Sequence, residues 1–74
     1  MGRIVLELDV MMARRHVSLN DLADKVGIAN VNLSKIKNNK VNAIRFGTLA
    51  GICEALECEP GDILKYDPEG ENED

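Results

Sequence analysis

Between residues 30 and 42 the chain reads NVNLSKIKNNKVN, in which five asparagines, one serine and three lysines occur without a single carboxylate. Primary amides donate and accept hydrogen bonds at once, whereas ammonium groups only donate. Side chains of these types recognise a ligand that shows mixed donors and acceptors together with negative charge. They do not break bonds, and the groups that would are missing from the sequence. No nucleophile stands beside a base, no glycine-rich loop is spaced for phosphates and no metal-ligand spacing occurs. His16, the sole histidine, has no acid, nucleophile or metal partner near it in sequence and reads as a surface residue at a helix end. Cys53 and Cys58 stand five apart across a predicted helix end, with no second cysteine pair or histidine cluster to complete a zinc site. Both are expected to be buried thiols, and no enzyme, metal or cofactor is expected.

The elements that must position this polar run begin at Ser18. Ser18 is a good N-cap, Asp21 sits at the third helical position of a weak capping box, and Val17 can staple onto Leu22. A helix over about residues 19 to 26 follows, with Leu22, Ala23 and Val26 on one side and Asn20, Asp21, Asp24 and Lys25 on the other. Gly27 can adopt the left-handed conformation that ends a helix, and Ile28 supplies the apolar contact that accompanies such a stop. A second helix runs from about Asn30 to Lys37, its buried stripe made by Leu33 and Ile36 with Ile28. Asn30, Val31, Asn32, Ser34, Lys35 and Lys37 are left exposed. Ala23 reads in two ways, as a good helix former or as the small residue that a steep helix crossing needs, and Gly27 with Ile28 favours the crossing.

A chain of 74 residues is one domain, and at this size only around 60% of the unfolded surface is buried, which excludes a deep catalytic cleft. With one Phe, one Tyr and no Trp, the core must be aliphatic, and stacking of single-stranded bases is disfavoured. The formal charge of −4 is concentrated at the end of the chain: Asp67, Glu69, Glu71, Glu73 and Asp74 carry five of the thirteen acidic residues. Residues 1–66 hold nine basic against eight acidic residues and are close to neutral. No acidic residue lies between Asp24 and Glu54, whereas Lys25, Lys35, Lys37, Lys40 and Arg45 do. Any one of these cations may be read as a merely solvated side chain; their clustering with the polar run points to a polyanion.

Upstream, Leu8 to His16 reads as a helix with Leu8, Met11 and Met12 apolar and Arg14 and Arg15 at its end. Arg3 to Leu8 alternates as a short strand, with Leu64 to Tyr66 as a candidate partner, either within one molecule or between two. Downstream, Phe46 to Leu56 reads as a helix burying Phe46, Leu49, Ile52, Cys53 and Leu56. Pro60, at a first-turn position, opens a short fifth helix through Leu64. Beyond Tyr66, DPEGENED has the composition of a disordered end. Competition of this tail with a bound polyanion is one role for it, and an inert end is the plainer one.

These residues resemble the Cro/repressor-type helix-turn-helix proteins, also called the xenobiotic-response-element family. The likeness runs through Ser18, Leu22, Ala23, Val26, Gly27, Ile28, Leu33, Ile36 and Asn38, and continues in IRFGTLAGICEALECEPGDIL, from Ile44 to Leu64, which looks like the fourth and fifth helices of that fold. It covers about three quarters of the chain and looks most like the compact single-domain branch. The resemblance implies an all-α, five-helix lambda-repressor-like domain over residues 1–66, with its helix-turn-helix at 18–40, a short strand pair joining the ends and a disordered acidic tail at 67–74. It implies a sequence-specific, double-stranded-DNA-binding transcriptional regulator of bacterial or phage type, with the helix at about 30–37 in the major groove.

On that pattern Asn30 falls where the family often reaches a base, and an asparagine amide can pair with adenine N6 and N7. Val31 would meet a thymine methyl, and Asn32, Ser34 and Lys35 belong to the groove-facing segment, guanine being the natural partner of Lys35. Asn38, Lys40, Asn42 and Arg45 resemble the family's phosphate-contacting loop, and Ser18 joins them through the helix N-terminus it caps. The pattern departs at Leu19, where many members place a polar contact, at Ala29 in place of a capping Ser or Thr, and at Asn39 in place of a frequent glycine, although asparagine tolerates the left-handed region. The expected partner is operator or promoter DNA, with self-association on paired half-sites or another regulator left open, and with no membrane or small-molecule ligand. The alternative is a protein-binding accessory module, an antitoxin or co-regulator partner, supported by Leu19, Val31 and the acidic total. Unpaired cysteines and the lack of a signal peptide or membrane-spanning run indicate the cytoplasm.

Overall fold

In the computed structural model, which describes residues 2–70, the order of elements is β1 (Arg3–Leu6), α1 (Leu8–Arg15), α2 (Leu19–Val26), α3 (Asn30–Lys37), α4 (Phe46–Leu56), α5 (Pro60–Ile63) and β2 (Leu64–Asp67). The start of α2 is fixed as its sequence requires: Ser18 is extended, and its hydroxyl accepts from the Asp21 N–H at 3.1 Å. At α5 the roles of cap and third position are filled by Glu59 and Asp62, whose side chain accepts from the Glu59 N–H at 2.9 Å.

The four longer helices all end in one six-residue stop. In each, the N–H of the last residue bonds back to the carbonyl of the first: Val17 to Met12 at 3.1 Å, Ile28 to Ala23 at 3.1 Å, Lys40 to Lys35 at 2.8 Å and Cys58 to Cys53 at 3.0 Å. The residue just before each of those donors is left-handed: His16 at φ 54°, Gly27 at 83°, Asn39 at 59° and Glu57 at 52°. This is the Schellman arrangement, in which side chains of the first and last residues frequently meet. Glycine at 27 and asparagine at 39 announce it; histidine and glutamate do not, because an L side chain opposes that backbone.

The core consists of Leu6, Leu8, Met11, Met12, Leu22, Ala23, Leu33, Ile36, Leu49, Ile52, Leu56 and Ile63, and no polar or charged residue is buried among the described residues. The helix α2 packs on both α3 and α4. A Cβ at Gly51 of α4 would stand 3.3 Å from the Val26 methyl, so glycine lets α2 and α4 approach here without Val26 having to shift by a few tenths of an ångström. Arg15, in the last turn of its own helix as expected, also ties α1 to the end of α4: Nε donates to the Leu56 carbonyl at 2.8 Å and Nη2 to that of Glu57 at 3.3 Å.

The chain ends pair within one molecule, β1 antiparallel to β2 with Arg3 opposite Asp67 and Leu6 opposite Leu64. The Asn39 side chain extends this ribbon like a third strand. Its Oδ1 accepts from the Leu6 N–H at 2.7 Å and its Nδ2 donates to the Leu6 carbonyl at 2.9 Å. The residue that ends α3 thereby fastens that helix to both chain termini.

Several expectations need correction. Phe46 is not buried but 87% exposed. It is the first residue of α4, and because Cα–Cβ bonds tilt toward a helix N-terminus its ring projects past the start of the helix rather than over the core. Leu64 belongs to β2 rather than α5, since its pairing with Leu6 outcompetes a further half-turn of helix. Ser34 and Lys37 are half-buried rather than exposed. Lys37 lines a shallow recess together with Met12, Val17 and Leu19 at the junction of α1 and α2. Cys53 and Cys58 are half-buried rather than buried. Within the segment expected to be disordered, Asp67 completes β2 and the Glu69 N–H donates to its carboxylate at 3.0 Å; residues 71–74 lie outside the described residues.

Two left-handed positions should respond to glycine with opposite signs. His16→Gly relieves a strained backbone and removes no side-chain hydrogen bond, so denaturant unfolding should show a gain of about 1 kcal/mol. Asn39→Gly keeps the backbone but forfeits both bonds to Leu6, with an expected loss of about 1–3 kcal/mol. A gain on Asn39→Gly would show that the Asn39 amide does not hold β1.

Candidate nucleic-acid interface

The turn at Gly27 determines which face of α3 is free. Leu33 and Ile36 are drawn into the core, so Asn30, Val31, Asn32 and Lys35 must point outward, and all four are exposed. Val31 is 64% exposed, an apolar side chain among polar ones on this face. The end of the helix is tightened by Asn38, whose Nδ2 donates to the Ser34 hydroxyl at 3.3 Å. Ala29 occupies the N-cap and offers no side-chain acceptor, so the first N–H groups of α3 stay open and the positive end of its dipole is not offset by a cap or by an acidic residue in the first turn.

Asn30 is not a free amide. Its Nδ2 donates to Oδ1 of Asn20, which projects from the first turn of α2. The pair crosses from one helix to the next and orients the outer edge of the Asn30 amide, leaving its carbonyl oxygen for a ligand. Asn20 was legible only as a polar residue on the solvent side of α2; its role depends on the crossing of the two helices.

The residues following α3 form a second part of the surface. Lys40, Asn42 and Arg45 are exposed, with Arg45 extended at the N-cap of α4. Lys40 and Asn42 line a groove of about 530 Å³ between this loop and β1, and Arg3 from the opposite end of the chain lines it too. Arg3 therefore adds a cation that the linear sequence does not place beside them. Ser18 lies apart from that groove, in a recess shared with Lys37 at the end of α3. Among the described residues no group of three or more His, Cys, Asp or Glu side chains is gathered to hold a metal ion, and no helix is long and apolar enough to cross a membrane.

Residues 7–69 match the Cro/C1-type helix-turn-helix DNA-binding domain. The chain belongs to that family. A Bacillus subtilis relative, the uncharacterized HTH-type transcriptional regulator YozG, is 54% identical over 63 residues, which span 85% of this chain and 75% of that protein. Among solved structures, the transcriptional regulator VanUg aligns with a TM-score of 0.72 at 28% identity, over 92% of this chain and 89% of its own. A Bacteroides fragilis protein provisionally described as DNA-binding gives 0.77 at 19% identity, over 85% of this chain and all of its own. SinR, the master regulator for biofilm formation, solved in complex with DNA, gives 0.68 at 24% identity, over 73% and 86%. The last two likenesses concern the fold. Within this Cro/C1-type domain α2 and α3 are two helices joined by a tight turn at Gly27.

The Asn20–Asn30 pair can be tested without a ligand. Asn20→Ala should leave the unfolding midpoint nearly unchanged, because both residues are exposed. It should also move the Asn30 side-chain NH2 resonances toward solvent-averaged positions in NMR spectra. Unmoved resonances would show that Asn20 does not hold the amide.

Proposed function

We propose that this chain is a transcriptional regulator that binds double-stranded DNA sequence-specifically, laying α3 in the major groove. The observation that carries the reading is the outer face of α3, free of acidic residues and led by an amide that Asn20 holds in a fixed orientation. Asn30, Val31, Asn32, Ser34 and Lys35 are assigned to the bases. The Asn30 amide suits adenine, the Val31 methyls suit a thymine methyl, and the Lys35 ammonium suits guanine. Ser34 is half-buried and bonded to Asn38, so of the five it has the shortest reach. Ser18, Asn38, Lys40, Asn42 and Arg45 are assigned to phosphates, which fix the register of the helix without reading sequence.

The likeness to YozG and VanUg supports a role in transcription, and the DNA-bound state of SinR supports a duplex as the ligand. The role places the protein with the DNA, in the cytoplasm of a bacterial cell, and assigns it no catalytic step.

Fluorescence anisotropy on a labelled duplex from upstream of the chain's own gene, against a scrambled duplex, tests the reading. Each phosphate neutralised by a cation steepens the dependence of log K on log salt by about 0.9, so Lys40 and Arg45, the two charged members of the phosphate set, give a slope of about −1.8. Asn30→Ala should flatten the preference between duplexes, with a loss of about 1–3 kcal/mol of discrimination. Lys40→Ala should weaken both equally and bring the slope about 1 closer to zero. Absence of binding to either duplex at low salt would overturn the proposal.

A further inference from the structure

The stop that ends α4 differs from the other three in what its first and last residues are. In the Schellman arrangement a contact between these two side chains frequently accompanies the backbone bonds, and here both are thiols. Cys53 and Cys58 are both half-buried and packed on the rim of the same aliphatic core, and the Cys58 N–H donates to the Cys53 carbonyl at 3.0 Å. The intervening Glu57, left-handed at φ 52°, is what folds the chain back between them. Two half-buried thiols carried by a backbone closed this tightly meet the first requirement for a disulfide, since chain segments that diverge cannot be bridged without moving the backbone.

We propose that Cys53 and Cys58 form one dithiol–disulfide couple that closes across the end of α4 by exchange with a low-molecular-weight disulfide. In the first step a thiolate of the pair attacks one sulfur of the reagent, breaking its S–S bond and releasing one small thiol. In the second, the other protein thiolate attacks the protein sulfur of the mixed disulfide, forming the Cys53–Cys58 bond and releasing the second small thiol. The chain loses two protons and two electrons, and the reagent gains both. Because both thiols sit on one closed turn of the chain, the second step is intramolecular and outruns attack by another chain. Burial pushes the Cys58 thiol up, Cys53 and Asp62 act in the same direction, and Arg15 opposes them. The couple is accordingly slow to react at neutral pH and accelerates as the pH rises. The new bond spans Glu57, so it holds the strained residue in place and stabilises the closed end of α4.

The test uses the full chain, oxidised glutathione as the probe and intact-mass spectrometry, and it needs no DNA. The folded protein at mildly alkaline pH should lose two hydrogens, with no lasting glutathione adduct and no disulfide-linked dimer. Dithiothreitol should restore the mass, and the oxidised form should melt a few degrees higher than the reduced one. Cys53→Ser and Cys58→Ser should each stop at a single glutathione adduct. Stable double adducts, linked dimers as the main product, or no reaction of the folded chain where the urea-unfolded chain reacts would each overturn the proposal.

Discussion

Everything outside the core depends on one backbone feature, the single left-handed residue that reverses the chain at the end of a helix. At Gly27 it does more than stop α2. The N–H groups of both Gly27 and Ile28 bond to the Ala23 carbonyl, at 2.8 and 3.1 Å, so the direction in which the chain leaves is fixed over two residues rather than one. That direction sets the crossing of α2 and α3, and with Leu33 and Ile36 buried it leaves one side of α3 for a ligand. Altering the turn would rotate or displace the whole face together, because short helices carry their side chains rigidly.

The same feature recurs at Asn39 with a different partner. Glycine would meet the backbone requirement there at no steric cost, but only a side-chain amide can both accept and donate to Leu6. This contact ties the end of α3 and the following loop to the ribbon made by the two chain ends. A small domain with an all-aliphatic core gains from such a tie, since each hydrogen bond it completes would otherwise be a strand edge open to water.

An acidic chain with a DNA-binding face is not contradictory once distance is considered. Fields from exposed charges fade over about 10 Å at moderate salt, so what a ligand meets is the local charge. Along the chain from Lys25 to Arg45 that local charge is purely positive, and the uncapped start of α3 adds its own partial charge. The carboxylates lie before Lys25, with Asp21 and Asp24 on α2 the nearest to α3 in the chain, and after Arg45, from Glu54 onward. Net charge therefore describes solubility and long-range repulsion here better than it describes binding.

Much of the architecture was legible because it rests on short-range chemistry. Ser18 with Asp21, Gly27 with Ile28, and the spacing of Leu33 and Ile36 fix α2, the turn and α3 within a span of about twenty residues, and the strand pair of the two ends followed from alternation. The tertiary structure decided what no local pattern carries. It put Phe46 in water because nothing packs beyond the start of α4, gave Asn20 its hold on Asn30, brought Arg3 to Lys40, and left-handed His16 and Glu57 against their own preference. Periodicity and caps report the neighbours a residue has along its own helix. Which side chains meet across helices depends on crossing angles and lengths that packing alone settles.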